Sequence, residues 1–325
     1  MHHIRIRHGL VAAAAMLLTA ALAPPPAAGW GCEGHQTVAL IARQQLTDHA
    51  REQVDKLLRN NPIDPTLPRF CTTHGLTRFA DASTWADDAR NTAQFSNTAS
   101  WHFIDIPRGA ARDHMDEFCP DDGCVTKAIT EQIAILKSKA KGKKKAQALR
   151  FLIHFVGDVH QPLHCTTNSD RGGNCVPVAF FGDDASVSKA GKATPNLHGV
   201  WDTKLLERDP ANTSPKRYAD KLTQQFDAQM STWRASGINV EDWAWASHEL
   251  AESTSYGKLP TAIPVEPPRG ELKSCVVNGD NISKRMLVFN ESVGPPYQND
   301  VQPVVEEQLA KAGTRLALIL NDIWP

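Results

Sequence analysis

Apolar residues recur three and four positions apart along most of this 325-residue chain, the spacing that builds one buried face on an α-helix. The segments HQTVALIARQQL (35–46), TDHAREQVDKLLRN (47–60), FADASTWADDAR (79–90), TKAITEQIAILKSKA (126–140) and KAQALRFLIHFVGDV (145–159) each keep the pattern for two or more turns. So do SPKRYADKLTQQFDAQMSTWR (214–234), EDWAWASHELAEST (241–254) and NDVQPVVEEQLAKAGTRLALILNDIW (299–324). Thr47-Asp48 and Ser214-Pro215 read as capped helix starts. Only NCVPVAFF (174–181) resembles a strand, and it predicts a short hairpin or extended loop. The pattern therefore predicts an all-α fold in one domain, with polar chemistry facing a cleft between helices or lying on connecting loops.

The first residues break this pattern. His2, His3, Arg5, Arg7 and His8 precede the apolar run GLVAAAAMLLTAALA, which ends in PPPAAG. A basic start, a short apolar stretch and small residues at its exit describe a secretory signal peptide. Ala27 and Gly29 meet the small-residue rule for cleavage before Trp30, with a cut after Ala23 as the competitor. Residues 1–29 are thus expected to be a leader and 30–325 a single secreted or periplasmic domain. No other stretch approaches membrane-spanning length.

Charge narrows the partners. The 35 Lys+Arg fall to 33 against 36 Asp+Glu once Arg5 and Arg7 leave, a net charge of −3. Such a chain exerts no bulk pull on a polyanion, so a nucleic acid would have to be gripped locally by metal or a small basic cluster. KGKKKA (141–146) reads as a charged turn between helices.

Seven cysteines without CxxC pairs, in an exported chain, predict disulfides rather than a zinc ribbon. Cys119 and Cys124 close the tight CPDDGC loop, Cys165 and Cys175 flank TTNSDRGGN, and Cys32 with Cys71 is a third pairing. Cys275 is then left over, unless it takes one of those partners.

Histidine and aspartate spacing carries the chemistry. In FLIHFVGDVHQPLH (151–164), His154 and Asp158 are four apart and share one helical face. His160 points elsewhere, which assigns it to supporting a ligand from behind or to helix packing. Pro162 ends the helix near Gln161 and puts His164 on the exit loop. NLHGVWD repeats the spacing in His198 and Asp202, WADDARNTAQFSNTASWHFID supplies Asp87, His102 and Asp105, and WGCEGH places His35 five residues after Trp30. An α-amino group freed at Trp30 could chelate an ion together with its own carbonyl. Together these donors exceed what one ion needs, and they suit zinc. His49, His74, His114 and His248 match no such cluster and are expected to be surface or satisfied core residues.

In the order WGxxGH, WADxxR, HFID, HFxGDxxQPLH, GGN and NLHxxWD, the chain resembles the zinc-dependent S1/P1 nucleases, whose superfamily also includes bacterial zinc phospholipases C. The residues from Tyr297 to Trp324 are similar to the last helix of that family. The resemblance implies a mainly helical domain of the phospholipase C/P1 nuclease type with three zinc ions in a cleft. It assigns Asp87, His102, His154 and Asp158 to the first ion and His164, His198 and Asp202 to the second. The third would take the Trp30 amino group and carbonyl, His35 and a shared oxygen of Asp158. Two close ions acidify a shared water toward neutrality beside a phosphodiester.

Within that resemblance Asp105 would orient the attacking water and Arg90 would grip the phosphate in the transition state. Phe103 would stack on a nucleobase, and Asn174 of GGN would touch base or phosphate. Each also has a structural reading: a capping carboxylate, a surface salt bridge, a core phenylalanine and a turn asparagine. The expected activity is hydrolysis of single-stranded DNA and RNA to 5′-phosphate products, with 3′-nucleotides as further substrates, by a monomer. Two rivals are a zinc phospholipase C and an exported zinc-binding protein without turnover. The close WGxxGH spacing and Asp202, where the lipase branch has a wider spacing and Glu, favour the nuclease. Arg90 and Asp105, which add nothing to zinc storage, speak against the second rival.

Overall fold

A computed structural model describes residues 29–71 and 76–325. Residues 1–28 of the expected leader (1–29), and His74, lie outside the described residues. Helices make up most of the rest, beginning with α1 (Gly31–Gln44), α2 (Asp48–Asn60), α3 (Arg78–Ala82), α4 (Trp85–Ala89), α5 (Val125–Lys137) and α6 (Gly142–Asp158). A second series follows: α7 (Leu197–Gly199), α8 (Leu205–Arg208), α9 (Pro215–Gln225), α10 (Asp227–Ala235), α11 (Val240–Leu250), α12 (Ile282–Met286) and α13 (Pro295–Ile323). Both predicted caps form: Thr47 accepts from the Ala50 amide at 3.1 Å and Ser214 from Arg217 at 3.3 Å, each satisfying one of the free amides of a helix start.

The 29-residue α13 is the axis of the core and packs on α1, α6, α9 and α10. Its approach to α1 is close because Gly313 has no side chain: a Cβ there would lie 2.5 Å from Ile41 Cγ2. The α5–α6 pair packs as a helical hairpin beside it. Around α6, Trp85, Phe95, Phe151 and Phe155 make ring contacts at 5.1–5.8 Å that seat α4 against it.

Two predicted helices are each broken in two. The 214–234 helix divides at Phe226, which turns into the core at 9% exposure. The 79–90 helix breaks at Ser83-Thr84, where the Ser83 carbonyl accepts a hydrogen bond from His154 Nδ1 at 2.7 Å instead of serving a helix. The strand expectation is met by Val178–Phe180, which pairs in parallel with Glu291–Val293, over a hundred residues away, rather than in a local hairpin.

The disulfides need one correction. Cys119–Cys124 and Cys32–Cys71 are present, but Cys175 pairs with Cys275 across 100 residues and not with Cys165. Cys165 is buried, with its thiol 3.4 Å from the Val159 carbonyl on the core side of its turn, while Cys175 and Cys275 have Cα atoms 5.5 Å apart, within bridging range. The Cys175–Cys275 link fastens a proline-rich strap, residues 257–275, over the loop that carries GGN. Ser169 Oγ donates to the Pro267 carbonyl at 2.6 Å, Asn168 Nδ2 to Pro264 at 2.9 Å, and the Glu266 amide to Asn168 Oδ1 at 2.9 Å.

Candidate metal centre and cleft

The last two turns of α6 bring His154 and Asp158 to one face, both fully buried. Facing them are His102, at the end of a 3₁₀ turn (Ser96–His102), and Asp87 from α4. Four donor atoms meet there. His102 Nδ1 lies 3.1 Å from Asp158 Oδ2, His154 Nε2 lies 3.2 Å from that oxygen and 3.1 Å from His102 Nδ1, and Asp87 Oδ1 is 3.6 Å from each nitrogen. Donors around one tetrahedral zinc at 2.0–2.1 Å sit about 3.3 Å apart, so the set fits such an ion.

Asp158 faces two ways. Its other oxygen, Oδ1, lies 3.3 Å from His35 Nε2, and neither atom has a hydrogen-bond partner although both are buried. Such orphaned pairs are costly unless something occupies the space between them. Gly29 and the Gly29–Trp30 peptide run beside them: a Cβ on Gly29 would be 2.0 Å from Asp158 Oδ1 and 2.4 Å from His35 Nε2.

A further group forms from His164, His198 and Asp202, with His198 Nε2 3.4 Å from Asp202 Oδ2 and His164 Nε2 3.8 Å from Asp202 Oδ1. As expected, Gln161 is extended before Pro162 (φ −84°, ψ 115°), and His164 closes a 3₁₀ turn. His198 and Asp202 stand four apart where α7 runs into a π-helical turn (Val200–Lys204), a distortion common at functional sites. His164 Nε2 and Asp202 Oδ2 are also buried without partners.

The rings are held from behind. The outer nitrogens of His154, His164 and His198 each lie 2.7 Å from a backbone carbonyl, of Ser83, His102 and Gly172 respectively. In the neutral ring, donating there leaves the inner nitrogen free of a proton and aimed inward, as metal-ligating histidines require. Gln161 Nε2 holds Asp202 Oδ1 at 2.6 Å. Burial pushes His198 down to about 3 and His102 down to about 4. His154 is opposite: burial would lower it, but the carboxylates of Asp158 and Asp87 hold it up at about 9. An ion entering that first group must therefore displace a proton, so its binding weakens as pH falls.

The groups open into a cleft of about 420 Å³ lined by Arg90, Phe103, Asp105, His164, Asn174 and His198, among others. Apart from Trp30, which follows Gly29 beside the His35–Asp158 pair, every sequence-predicted ligand or substrate residue lies at the centre or in this cleft. Phe103 is extended, the Ile104 amide bonds the His164 carbonyl and the Thr167 amide that of Ile106, and a tight turn at Asp105 puts the Ile106 amide on the Ile104 carbonyl at 3.0 Å. Ile104 and Ile106 are buried in this arrangement, and Phe103 and Asp105 line the cleft. Arg90 Nη2 is 3.2 Å from Asp87 Oδ1. Burial, then the nearby Glu271 and Asp170 carboxylates, push Asp105 up to about 7, with Arg171 opposing. Asn174 Nδ2 donates to the Arg171 carbonyl at 2.9 Å, the turn role, while also lining the cleft.

Sequence reasoning missed Arg171, Glu271 and Lys273, which line the same cleft. Arg171 stands beside GGN and could have been noticed there. Glu271 and Lys273 arrive on the strap, where no periodicity marks them. The histidines outside the motifs behave as expected: His49 is exposed, and His248 is buried and bonded to Thr166 Oγ1 at 2.9 Å. His114 is on the surface against Glu117. His160 packs between the Val156 carbonyl, 2.7 Å away, and the Arg315 guanidinium, 2.8 Å away.

A family model described as S1/P1 Nuclease matches residues 30–325. Nuclease S1 of Aspergillus oryzae (strain ATCC 42149 / RIB 40) is 29% identical over 305 residues, covering 90% of this chain and 91% of its own. Endonuclease 4 of Arabidopsis thaliana is 29% identical over 311 residues, with 91% and 89% covered. Nuclease P1 of Penicillium citrinum is 28% identical over 303 residues, with 90% and 97% covered.

Proposed function

Since the chain belongs to the S1/P1 nuclease family and is a nuclease acting on phosphodiester bonds, we propose that it works as an exported three-zinc endonuclease on single-stranded DNA and RNA. On this reading it leaves 5′-phosphate products and also accepts 3′-nucleotides. The observation that carries the reading is the set of converging, partly orphaned donors at the floor of a cleft whose walls hold Arg90 and Asp105. Export is supported by the three disulfides. No helix among the described residues is long and apolar enough to cross a membrane.

Asp87, His102, His154 and Asp158 would hold one ion, His164, His198 and Asp202 a second, and His35, Asp158 and the freed Trp30 terminus a third. Zinc held there supplies Lewis acidity to the phosphate and brings the pKa of a water to about 7. The chain's own groups do the rest. Asp105, once ionised, accepts a hydrogen bond from the attacking water and fixes its direction. Arg90, anchored one helical turn from Asp87, donates to the phosphate oxygens as charge builds on them. Phe103 offers a ring face to a base, a contact tolerant of base identity.

An assay of single-stranded DNA, RNA, 3′-AMP and phosphatidylcholine, with and without chelator, tests this. Chelator-sensitive cleavage of both nucleic acids is expected, and lipid hydrolysis without nuclease activity would overturn the reading in favour of a phospholipase C.

A pH effect follows from Asp105. Its working form is the carboxylate, so kcat/KM falls as pH drops through its pKa. Glu271→Gln removes a negative charge that raises Asp105, so the acidic limb of the kcat/KM profile should move to lower pH. An unmoved limb would separate Asp105 from that limb.

A further inference from the structure

Beside the metal cleft lies a second cavity of about 360 Å³. Ser100, Phe103, Asp105 and Glu271 line both spaces, which are therefore adjoining compartments with Phe103 the aromatic member of their common wall. We propose that this second cavity is a nucleobase site, so that the two bases flanking the scissile phosphate enter separate compartments divided by Phe103. The proposal rests on the nuclease reading above.

The compartments differ in chemistry. The metal cleft carries Arg90, Arg171 and the histidines. The second is walled by Ile104, Pro107, Phe118, Pro120 and Pro268, surfaces that suit the flat face of a base. Its volume lies in the range of small-ligand sites. Its charged groups argue against a phosphate: Asp105, Glu117 and Glu271 line it, and the one guanidinium, Arg269, is turned to Asp280 at 3.2 Å. With Asp105 committed to the attacking water, Glu117 and Glu271 instead accept from exocyclic amino groups, which adenine, cytosine and guanine carry.

Both sides of the cavity are fixed before any ligand arrives. One is the loop closed by Cys119–Cys124, pinned by Trp101 Nε1 donating to the Asp122 carbonyl at 3.0 Å. The other is the tip of the strap, held by Cys175–Cys275 and by Ser169 on Pro267. Phe103 between them is fixed by its carbonyl, which accepts from the Val125 amide at 2.9 Å. A preformed slot spares the ordering cost of binding.

The test uses the zinc-loaded enzyme and the dinucleotide d(ApA), which has one phosphodiester, together with its two versions lacking one base or the other. Pro268→Trp plugs the cavity from the exposed strap, and Phe118→Ala removes an apolar wall; zinc content and melting temperature establish that each variant is intact. In the wild type, loss of one particular base should raise KM about tenfold, within what a stacked base contributes, with kcat within about twofold. In Pro268→Trp the KM for intact d(ApA) should rise by a similar factor, and loss of that same base should then cost nothing further. Both base-loss penalties persisting unchanged in the two variants would overturn the proposal. So would loss of short-chain phosphatidylcholine hydrolysis with d(ApA) kinetics unaltered, which would make the cavity an acyl site. A wild type that leaves d(ApA) and longer strands uncut would instead sink the nuclease reading itself.

Discussion

Replacing Asp158 by alanine should abolish turnover and remove at least one ion per chain. Its two oxygens face different donor sets, Oδ2 toward His102 and His154 and Oδ1 toward His35. One truncation therefore takes a ligand from two places and leaves His154 buried beside Asp87 alone. Losing an outer partner of a metal ligand costs about 10–100-fold in affinity or activity; losing this shared ligand should exceed that, to at least about 10³-fold. Elemental analysis and a nuclease assay on the purified variant decide it. Full zinc content with full turnover would refute the bridging role.

The second large effect concerns the residue before Trp30. Gly29 lies against Asp158 Oδ1 and His35 Nε2: a Cβ built on it would be 2.0 Å and 2.4 Å from those atoms. On the three-zinc reading proposed above, a retained Gly29 and a third ion would compete for this place. A mature protein that retains Gly29 should bind one ion fewer than the form beginning at Trp30, through both the occupied volume and the loss of the free amine as a donor. Three ions in both forms would remove the Trp30 terminus from the ligand set.

Much of this was legible in the sequence because the helices supply most of the chemistry. His154/Asp158 and His198/Asp202 are read from a four-residue spacing, and the backbone delivers that pairing locally. The Pro162 break and the position of His164 follow from the same local rules. What local rules do not contain is the origin of long-range partners. The Ser83 break cannot be predicted without knowing that His154, 71 residues later, needs its carbonyl. Cys165 and Cys175 looked paired by proximity, yet side-chain direction put Cys165 into the core and left Cys175 for a strap 100 residues away. That strap, rich in proline and without periodicity, brings Glu271 and Lys273, so the cleft wall opposite the motifs was invisible. The alternation in HFIDIP was present in the letters but passed over among helical patterns.

The direction in which α6 runs has its own electrostatic outcome. The aligned peptide dipoles of a helix leave roughly half a negative charge at its C-terminal end and half a positive charge at its start. Asp158 is the last residue of α6 and His154 lies one turn before it, so the cation-seeking end of the helix points at the donors. The lysines at 141, 143, 144 and 145 crowd the opposite end, about 24 Å away at 1.5 Å per residue, where the dipole works against them. The backbone itself thus adds to the field that draws positive ions to one end of this helix, while a lysine cluster stands at the other.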